Sequence, residues 1–558
     1  MIIRILGWLL LALSCSALAG KATSGKQHDA AVAAPDRYGA AVAEHVLRRG
    51  GNAVDAAIAT AFTLAVTYPE AGNIGGGGFM TLWIDGKGYF LDYRETAPAK
   101  ADADMYLDSE QAVIKNKSLI GHQASGVPGT VMGLWQAHQR FGSLPWAELL
   151  QPAIDYATQG FVVSDKQFLY YDNILSRFAG KTNFADYFAQ MQPGSTFLQP
   201  ELAATLGRIA KEGQADFYQG DTAKLIVAEM QRGKGLISLD DLANYQAIWR
   251  EPILFDWQGY QLLTVAPPSS GGIALSQLLA LKQRRAADFA NVSLNSARYV
   301  HLMAEIAKRV FADRADYLGD PDFSPVPQQQ LLHSDYLDKR AAQINANAIS
   351  PTASVKPGLE SHQTTHFSIL DKHGNAVSNT YTLNLDYGSG VVVSGAGFLL
   401  NNEMDDFSVK AGVPNAFGVV GSSANAIAPG KRMLSSMTPS ILLKDGKVVL
   451  VIGTPGGSTI FTSIFQVISN LYDFELPLAE AIAAARFHHQ LLPENQINME
   501  PYQLLPTDVQ QALTAKGYSF HQQRWALGDI QAIQVIDGKV QAQSDPRHRG
   551  VATVITQH

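Results

Sequence analysis

Gln363-Thr364-Thr365-His366-Phe367-Ser368-Ile369-Leu370 is the stretch on which the reading of this chain turns. Thr365, Phe367 and Ile369 alternate with Thr364, His366 and Ser368, the two-residue period of a strand. Asp371-Lys372-His373-Gly374-Asn375 makes a turn, and residues 376–383 form the returning strand. Just upstream, residues 350–361 carry Pro351, Pro357, Gly358 and small polar residues without apolar periodicity, and read as an exposed linker. A linker ending on a hydroxyl residue allows a specific chemistry. A threonine hydroxyl can attack the preceding carbonyl, shift the acyl group from nitrogen to oxygen and be released by water. The product is an N-terminal threonine whose α-amine, with an ordinary pKa of about 7.7–8.0, can serve as general base for its own hydroxyl. The plainer reading is two threonines filling a strand, which threonine does well. Spacing leaves both readings open and does not choose between Thr364 and Thr365.

Upstream, residues 38–65 are helical in pattern, with Val42, Val46 and Leu47 on one stripe. Gly50-Gly51 stops the first helix, and Asn52 caps a second carrying Val54, Ile58, Ala61 and Leu64. Gly75-Gly76-Gly77-Gly78 leads into a strand over 79–84 and a turn at Asp85-Gly86. No Lys-Ser/Thr follows these glycines, so they read as close backbone packing or a substrate-facing turn, not a phosphate loop. Residues 120–345 read mostly as helices, interrupted at 267–272. Beyond the linker come hairpins at Asp445-Gly446 and Asp537-Gly538, with a helix over about 458–470 between them. Helices and hairpins that share one third of the chain predict an α+β fold, sheets covered by helices.

The 558 residues, 46% hydrophobic and 17% charged, are ordinary for a globular enzyme. A net charge of −7 without basic runs argues against nucleic acid. Arg4, the apolar run 5–13 and Ala17-Leu18-Ala19 form a signal peptide over 1–19, so export to the periplasm or medium is expected. Cys15 is the one cysteine. Lipoprotein anchoring through it is the less favoured reading, because Ala12 replaces the usual larger aliphatic. No other segment is long and apolar enough to span a membrane. G-x-S-x-G, H-E-x-x-H and G-x-x-x-x-G-K-[ST] are all missing from the sequence. His488-His489 diverge as neighbours do, and read as packing histidines without a metal.

The run Thr364–Ser368 with Asp371, Gly374–Val377 and Thr380–Asn384 resembles the start of the small subunit of γ-glutamyltranspeptidases. The resemblance continues through 400–407, Leu434-Ser435-Ser436-Met437 and 453–458, and upstream through 49–56, 75–79, 94–98 and 267–272. It implies the four-layer αββα sandwich of the Ntn hydrolases, a heterodimer from one autocleaved precursor. The large subunit would span 20–363, ending in the linker 350–363, and the small catalytic subunit 364–558. By resemblance Thr364 is the nucleophile, Thr382 holds its amine, and Gly456 and Gly457 form the oxyanion hole. Arg94, Ser435 and Ser436 would receive the α-carboxylate of a glutamyl group, and Asn384, Glu403 and Asp406 its ammonium. Glu403 stands where other members have glutamine. Phe417 stands where many bacterial members have a tyrosine, in a lid over 410–432. The implied reaction is γ-glutamyl transfer from glutathione or related amides to water, amino acids or dipeptides, with no metal or organic cofactor. Two alternatives are a cephalosporin-acylase-like glutaryl amidase of the same fold and an unprocessed binding protein.

Overall fold

The computed structural model describes residues 22–26, 28–168, 171–352, 364–410 and 423–556. The expected signal peptide with Cys15, the expected linker from 353 through Gln363, and residues 411–422 of the expected lid with Phe417 lie outside the described residues.

Two antiparallel seven-stranded sheets face each other. In order across the first lie Val551–Ile555, Ala30–Ala34, Thr365–Leu370, Ala376–Thr382, Gly77–Ile84, Lys87–Tyr93 and Ile248–Arg250. Across the second lie Thr23–Lys26, Lys539–Ser544, Gln531–Ile536, Lys447–Gly453, Ser440–Lys444, Tyr260–Thr264 and Ile253–Trp257. Helices cover both outer faces. Arg37–Arg48, Ala53–Thr67 and Trp146–Gln159 pack on the first sheet, and Gly271–Arg284, Ala297–Tyr317 and Thr459–Tyr472 on the second. Each sheet contains strands from both sides of the linker. The segments before and after it therefore share their ladders and cannot be independent domains.

The strand parity expected for residues 364–370 holds. Phe367 and Ile369 face the helical layer over the first sheet, while Leu370 and Ala376 meet Ile441, Val451 and Ile533 between the sheets. At its other end the space between sheets turns polar: Ser368 Oγ donates to Gln531 O at 2.9 Å and Ser378 Oγ to Ile452 O at 3.1 Å. Asp371 locks the turn, accepting from His373 N and Asn375 N through Oδ1. Its Oδ2 accepts from Ala53 N at 3.2 Å, tying this hairpin to the start of the helix Ala53–Thr67.

Asn52 caps that helix in a full capping box with Asp55. The helix is buried on every side, not along one stripe, because neighbouring helices sandwich it against the sheet. The four glycines prove to be close-packing residues. A Cβ on Gly75 would stand 2.1 Å from Leu399 O, and one on Gly76 2.0 Å from Thr382 O. Gly76→Ala is expected to cost about 2 kcal/mol, since Thr382 O is a backbone atom of the paired strand and cannot step aside. Thermal melting against wild type checks this.

Two expectations need correction. Residues 120–345 are not only helical: the hairpin Ile253–Trp257 to Tyr260–Thr264 supplies an edge of the second sheet, turning at Gln258 and Gly259 with φ of 48° and 78°. The linker also starts later than expected. Ser350 is buried, its N–H donating to Glu305 Oε1 at 3.1 Å and its carbonyl accepting from Lys308 Nζ at 2.8 Å.

Candidate active site

Thr364 immediately precedes the strand Thr365–Leu370 and is 7% exposed. Thr365 pairs with Tyr381 and His366 with Thr380, so extending the register by one residue sets Thr364 against Thr382. Parity gives the two threonines different surroundings. Thr365 belongs to the face of Phe367 and Ile369, and its buried Oγ1 has no hydrogen-bond partner among the described residues. Thr364 belongs to the face of His366 and Ser368, which looks across the polar end of the gap toward the second sheet.

His366 connects that face to the opposite sheet. Nδ1 lies 2.7 Å from Thr380 Oγ1 and Nε2 3.1 Å from Ser368 Oγ. The ring fills the space where Gly453 has no side chain: a Cβ there would come within 2.3 Å of Cε1. Burial pulls the imidazole down to about 3 from its ordinary 6.5, so His366 is neutral. Below about pH 6.5 the unfolded chain binds a proton that the folded protein refuses, so stability falls as pH drops from about 6.5 toward 3. His489 and His548, also held down by burial to about 4, act the same way. His366→Gln should therefore flatten part of the acid-side slope of melting temperature against pH, as a pH series of melts would show.

From Gly453 the second sheet runs into Thr454-Pro455-Gly456-Gly457 and the helix Thr459–Tyr472. Gly456 and Gly457 have φ of 133° and 55°, values that favour glycine. Their carbonyls accept from Thr459 N and Ile460 N at 3.0 Å each. This turn sets the positive end of a helix at the side of the gap facing His366.

The other expected residues gather beyond Thr382. Its Oγ1 accepts from Asn384 N at 2.7 Å, and Asn384 Nδ2 donates to Asn402 O at 2.9 Å. Strand alternation through Thr380-Tyr381-Thr382 would put Asn384 on one face with Thr382. The strand instead ends at Thr382, and Asn384, with φ 77°, sits on a bend. Glu403 and Asp406 lie on the short 3-10 helix Glu403–Asp406. Arg94, 1% exposed, donates from Nη1 to Glu403 Oε2 at 2.5 Å and from Nη2 to Asp406. Nε and Nη2 also reach Met433 O and Leu434 O at 3.3 and 3.4 Å, next to Ser435 and Ser436.

The residue expected to receive a carboxylate, Arg94, is thus paired with the acids expected to receive an ammonium. Burial works against the Arg94 charge, and Glu403 and Asp406 overcome it. Burial also raises the carboxyls of Glu403 and Asp406, which Arg94 opposes. Arg94-Glu95 is no surface pair, since both are buried and 3.5 Å apart. Burial pushes Glu95 up to about 8, leaving it neutral at pH 7.

Sequence reasoning missed Asn73 and Asn401. Asn73 Nδ2 donates to Thr382 O at 2.9 Å and its Oδ1 accepts from Gly76 N at 2.9 Å, fixing the end of the hairpin that Thr364 begins. Asn401 Nδ2 donates to Gly75 O and Gly126 O, and its Oδ1 accepts from Glu403 N. Only the glycine run beside them hinted at so tight a junction. His488 and His489 are packing residues as expected, bonded to Thr462 and Gln496 O. No cluster of three or more His, Cys, Asp or Glu able to hold a metal occurs among the described residues. None of the described helices is long and apolar enough to cross a membrane.

Facing sheets between helical layers, with a hydroxyl residue at the inner start of a central strand, are the architecture of the N-terminal-nucleophile hydrolases. The family described as Gamma-glutamyltranspeptidase matches residues 39–555. A glutathione hydrolase proenzyme of Pseudomonas aeruginosa is 65% identical over 551 residues, 99% of this chain and 98% of the relative. The glutathione hydrolase proenzyme of Escherichia coli is 44% identical over 527 residues, 92% and 90%. Among solved structures, a cephalosporin acylase from Bacillus halodurans superimposes with TM-score 0.85 at 27% identity, covering 97% of this chain and 98% of its own. A gamma-glutamyltranspeptidase from Pseudomonas nitroreducens complexed with L-DON gives TM-score 0.58 at 64% identity, covering 58% of this chain and 97% of its own. The chain belongs to the gamma-glutamyltranspeptidase family.

Proposed function

We propose that this protein is an exported γ-glutamyl acyl-transfer enzyme that matures by breaking the Gln363–Thr364 bond and then uses Thr364 as nucleophile. The observation that carries this reading is the buried Arg94–Glu403–Asp406 set, joined to Thr382 through Asn384 and Asn402. One guanidinium and two carboxylates beside Ser435 and Ser436 match a group that bears both a carboxylate and an ammonium. Such a group exchanges partners with the internal pairs without leaving a buried charge unpaired.

In this mechanism the Thr364 α-amine takes the hydroxyl proton as Oγ1 attacks the γ-carbonyl of glutathione or a related amide. Thr382 orients the amine. The backbone N–H groups of Gly456 and Gly457, at a helix start, stabilise the developing oxyanion. The leaving amine takes the proton, and the acyl-Thr364 ester passes to water or to an amino acid or dipeptide amine. The large chain 20–363 and small chain 364–558 stay together because they share both sheets. The proenzyme relatives, and a solved relative whose chain covers only 58% of this one, support processing.

A glutaryl-type amidase is the second reading, and one observation favours it. Arg94 already pairs with both Glu403 and Asp406, so neither acid is left without a cation when the substrate has no ammonium. Purified protein incubated with glutathione, with and without a dipeptide acceptor, and separately with a glutaryl amide, tests both. Glutamate or γ-glutamyl-dipeptide release supports the first reading, and turnover of the glutaryl amide alone overturns it.

A further inference from the structure

Ser435 and Ser436 are gripped from two sides. Arg94 reaches the carbonyls of Met433 and Leu434 from the site. From behind, the loop at 267–272 runs alongside through a bridge between Ser269 and Ser435. Ser435 N donates to Pro268 O at 3.0 Å, and Ser270 N and Ser270 Oγ both donate to Ser435 O at 2.7 Å. Ser270 Oγ also lies 3.3 Å from Ser436 Oγ. It accepts in turn from Arg314 Nε at 3.0 Å. Arg314 lies near the end of the buried run of the helix Ala297–Tyr317 and is 5% exposed. Burial pulls its guanidinium down to about 9, and the charge of Asp406 partly opposes this.

The charges around this loop explain why a second arginine is placed there. Arg94 is committed to Glu403 and Asp406, two acids that share one guanidinium. A carboxylate settling on Ser435 and Ser436 would meet a guanidinium whose Nη1 and Nη2 are already taken by two acids. Arg314 supplies a further cation one hydroxyl away. It also sets the direction of Ser270 Oγ: with its lone pair taken by Nε–H, the hydroxyl proton is left for Ser435 O.

We propose that Arg314 is a positioning residue for the α-carboxylate of the acyl donor, acting through Ser270 on Ser435–Ser436 and balancing the charge of Glu403 and Asp406. This rests on the γ-glutamyl reading above. The test compares γ-glutamyl-p-nitroanilide with 4-aminobutyryl-p-nitroanilide, the same amide without the α-carboxylate, using competitive inhibition constants where turnover is too slow. In Arg314→Gln the KM for the glutamyl substrate should rise about tenfold or more with kcat within about threefold, because binding common to ground and transition states is lost. The 4-aminobutyryl compound should change less than about twofold, and Arg314→Lys should restore part of the loss. Ser270→Ala should shift in the same direction and serves as the readout if Arg314→Gln fails to fold. Equal losses on both compounds, or unchanged kinetics, overturn the proposal. Wild-type protein that does not prefer the glutamyl compound overturns the γ-glutamyl reading itself.

Discussion

Thr364→Ala is expected to remain one uncut chain on a denaturing gel and to lose activity by about 10⁴-fold or more, the scale seen when a nucleophile is removed. Wild type should run as two chains, the smaller beginning Thr-Thr-His-Phe. The neighbouring residue makes the test sharp. Thr365 points to the helical layer and its buried Oγ1 has no hydrogen-bond partner among the described residues, so Thr365→Val should leave both stability and processing intact. Thr364→Ser keeps a hydroxyl and should still be cut. If Thr365→Val blocks cleavage while Thr364→Ala does not, the nucleophile has been placed one residue too early.

That distinction was not available from spacing, where the two threonines were equivalent. It emerges from parity once His366 is seen bonded to Thr380 and packed on Gly453 of the opposite sheet. Features set by neighbours in sequence were legible beforehand: the turn at 371–375, the Asn52 cap, and the hairpins at Asp445-Gly446 and Asp537-Gly538. The glycine run was legible as close packing, but its partners, Leu399 O and Thr382 O, come from more than 300 residues away. The hairpin over 253–264 was hidden because its Gln258-Gly259 turn is a weak signal inside a helical stretch. Ser350 read as linker because its composition is that of one, yet three buried charged residues of a distant helix claim it. The site residues were legible chiefly through family resemblance. Their internal pairing was not, because nothing along the sequence relates Arg94 to residues 403 and 406.

Asp406→Ala is expected to cost glutamyl substrates heavily and glutaryl amides little. Removing one partner of a buried charged contact typically costs about 3–5 kcal/mol. Asp406 keeps 21% of its side chain exposed, so the lower end applies, about a hundredfold in kcat/KM. Both substrates present a carboxylate to Arg94, and only the glutamyl one presents an ammonium. The structure adds a second consequence. Asp406 holds Arg94 Nη2, so its removal frees a donor of Arg94 and leaves Glu403 as the main acid still paired with it. Arg94 then competes less with itself for an incoming carboxylate, and a glutaryl amide should be unchanged or improved. The measurement is the ratio of kcat/KM for matched glutamyl and glutaryl anilides in wild type and variant. A fall of equal size for both would mean that Asp406 only keeps Arg94 in place. A rise for glutaryl alongside the fall for glutamyl would identify Asp406 as the residue that selects the α-ammonium on this fold.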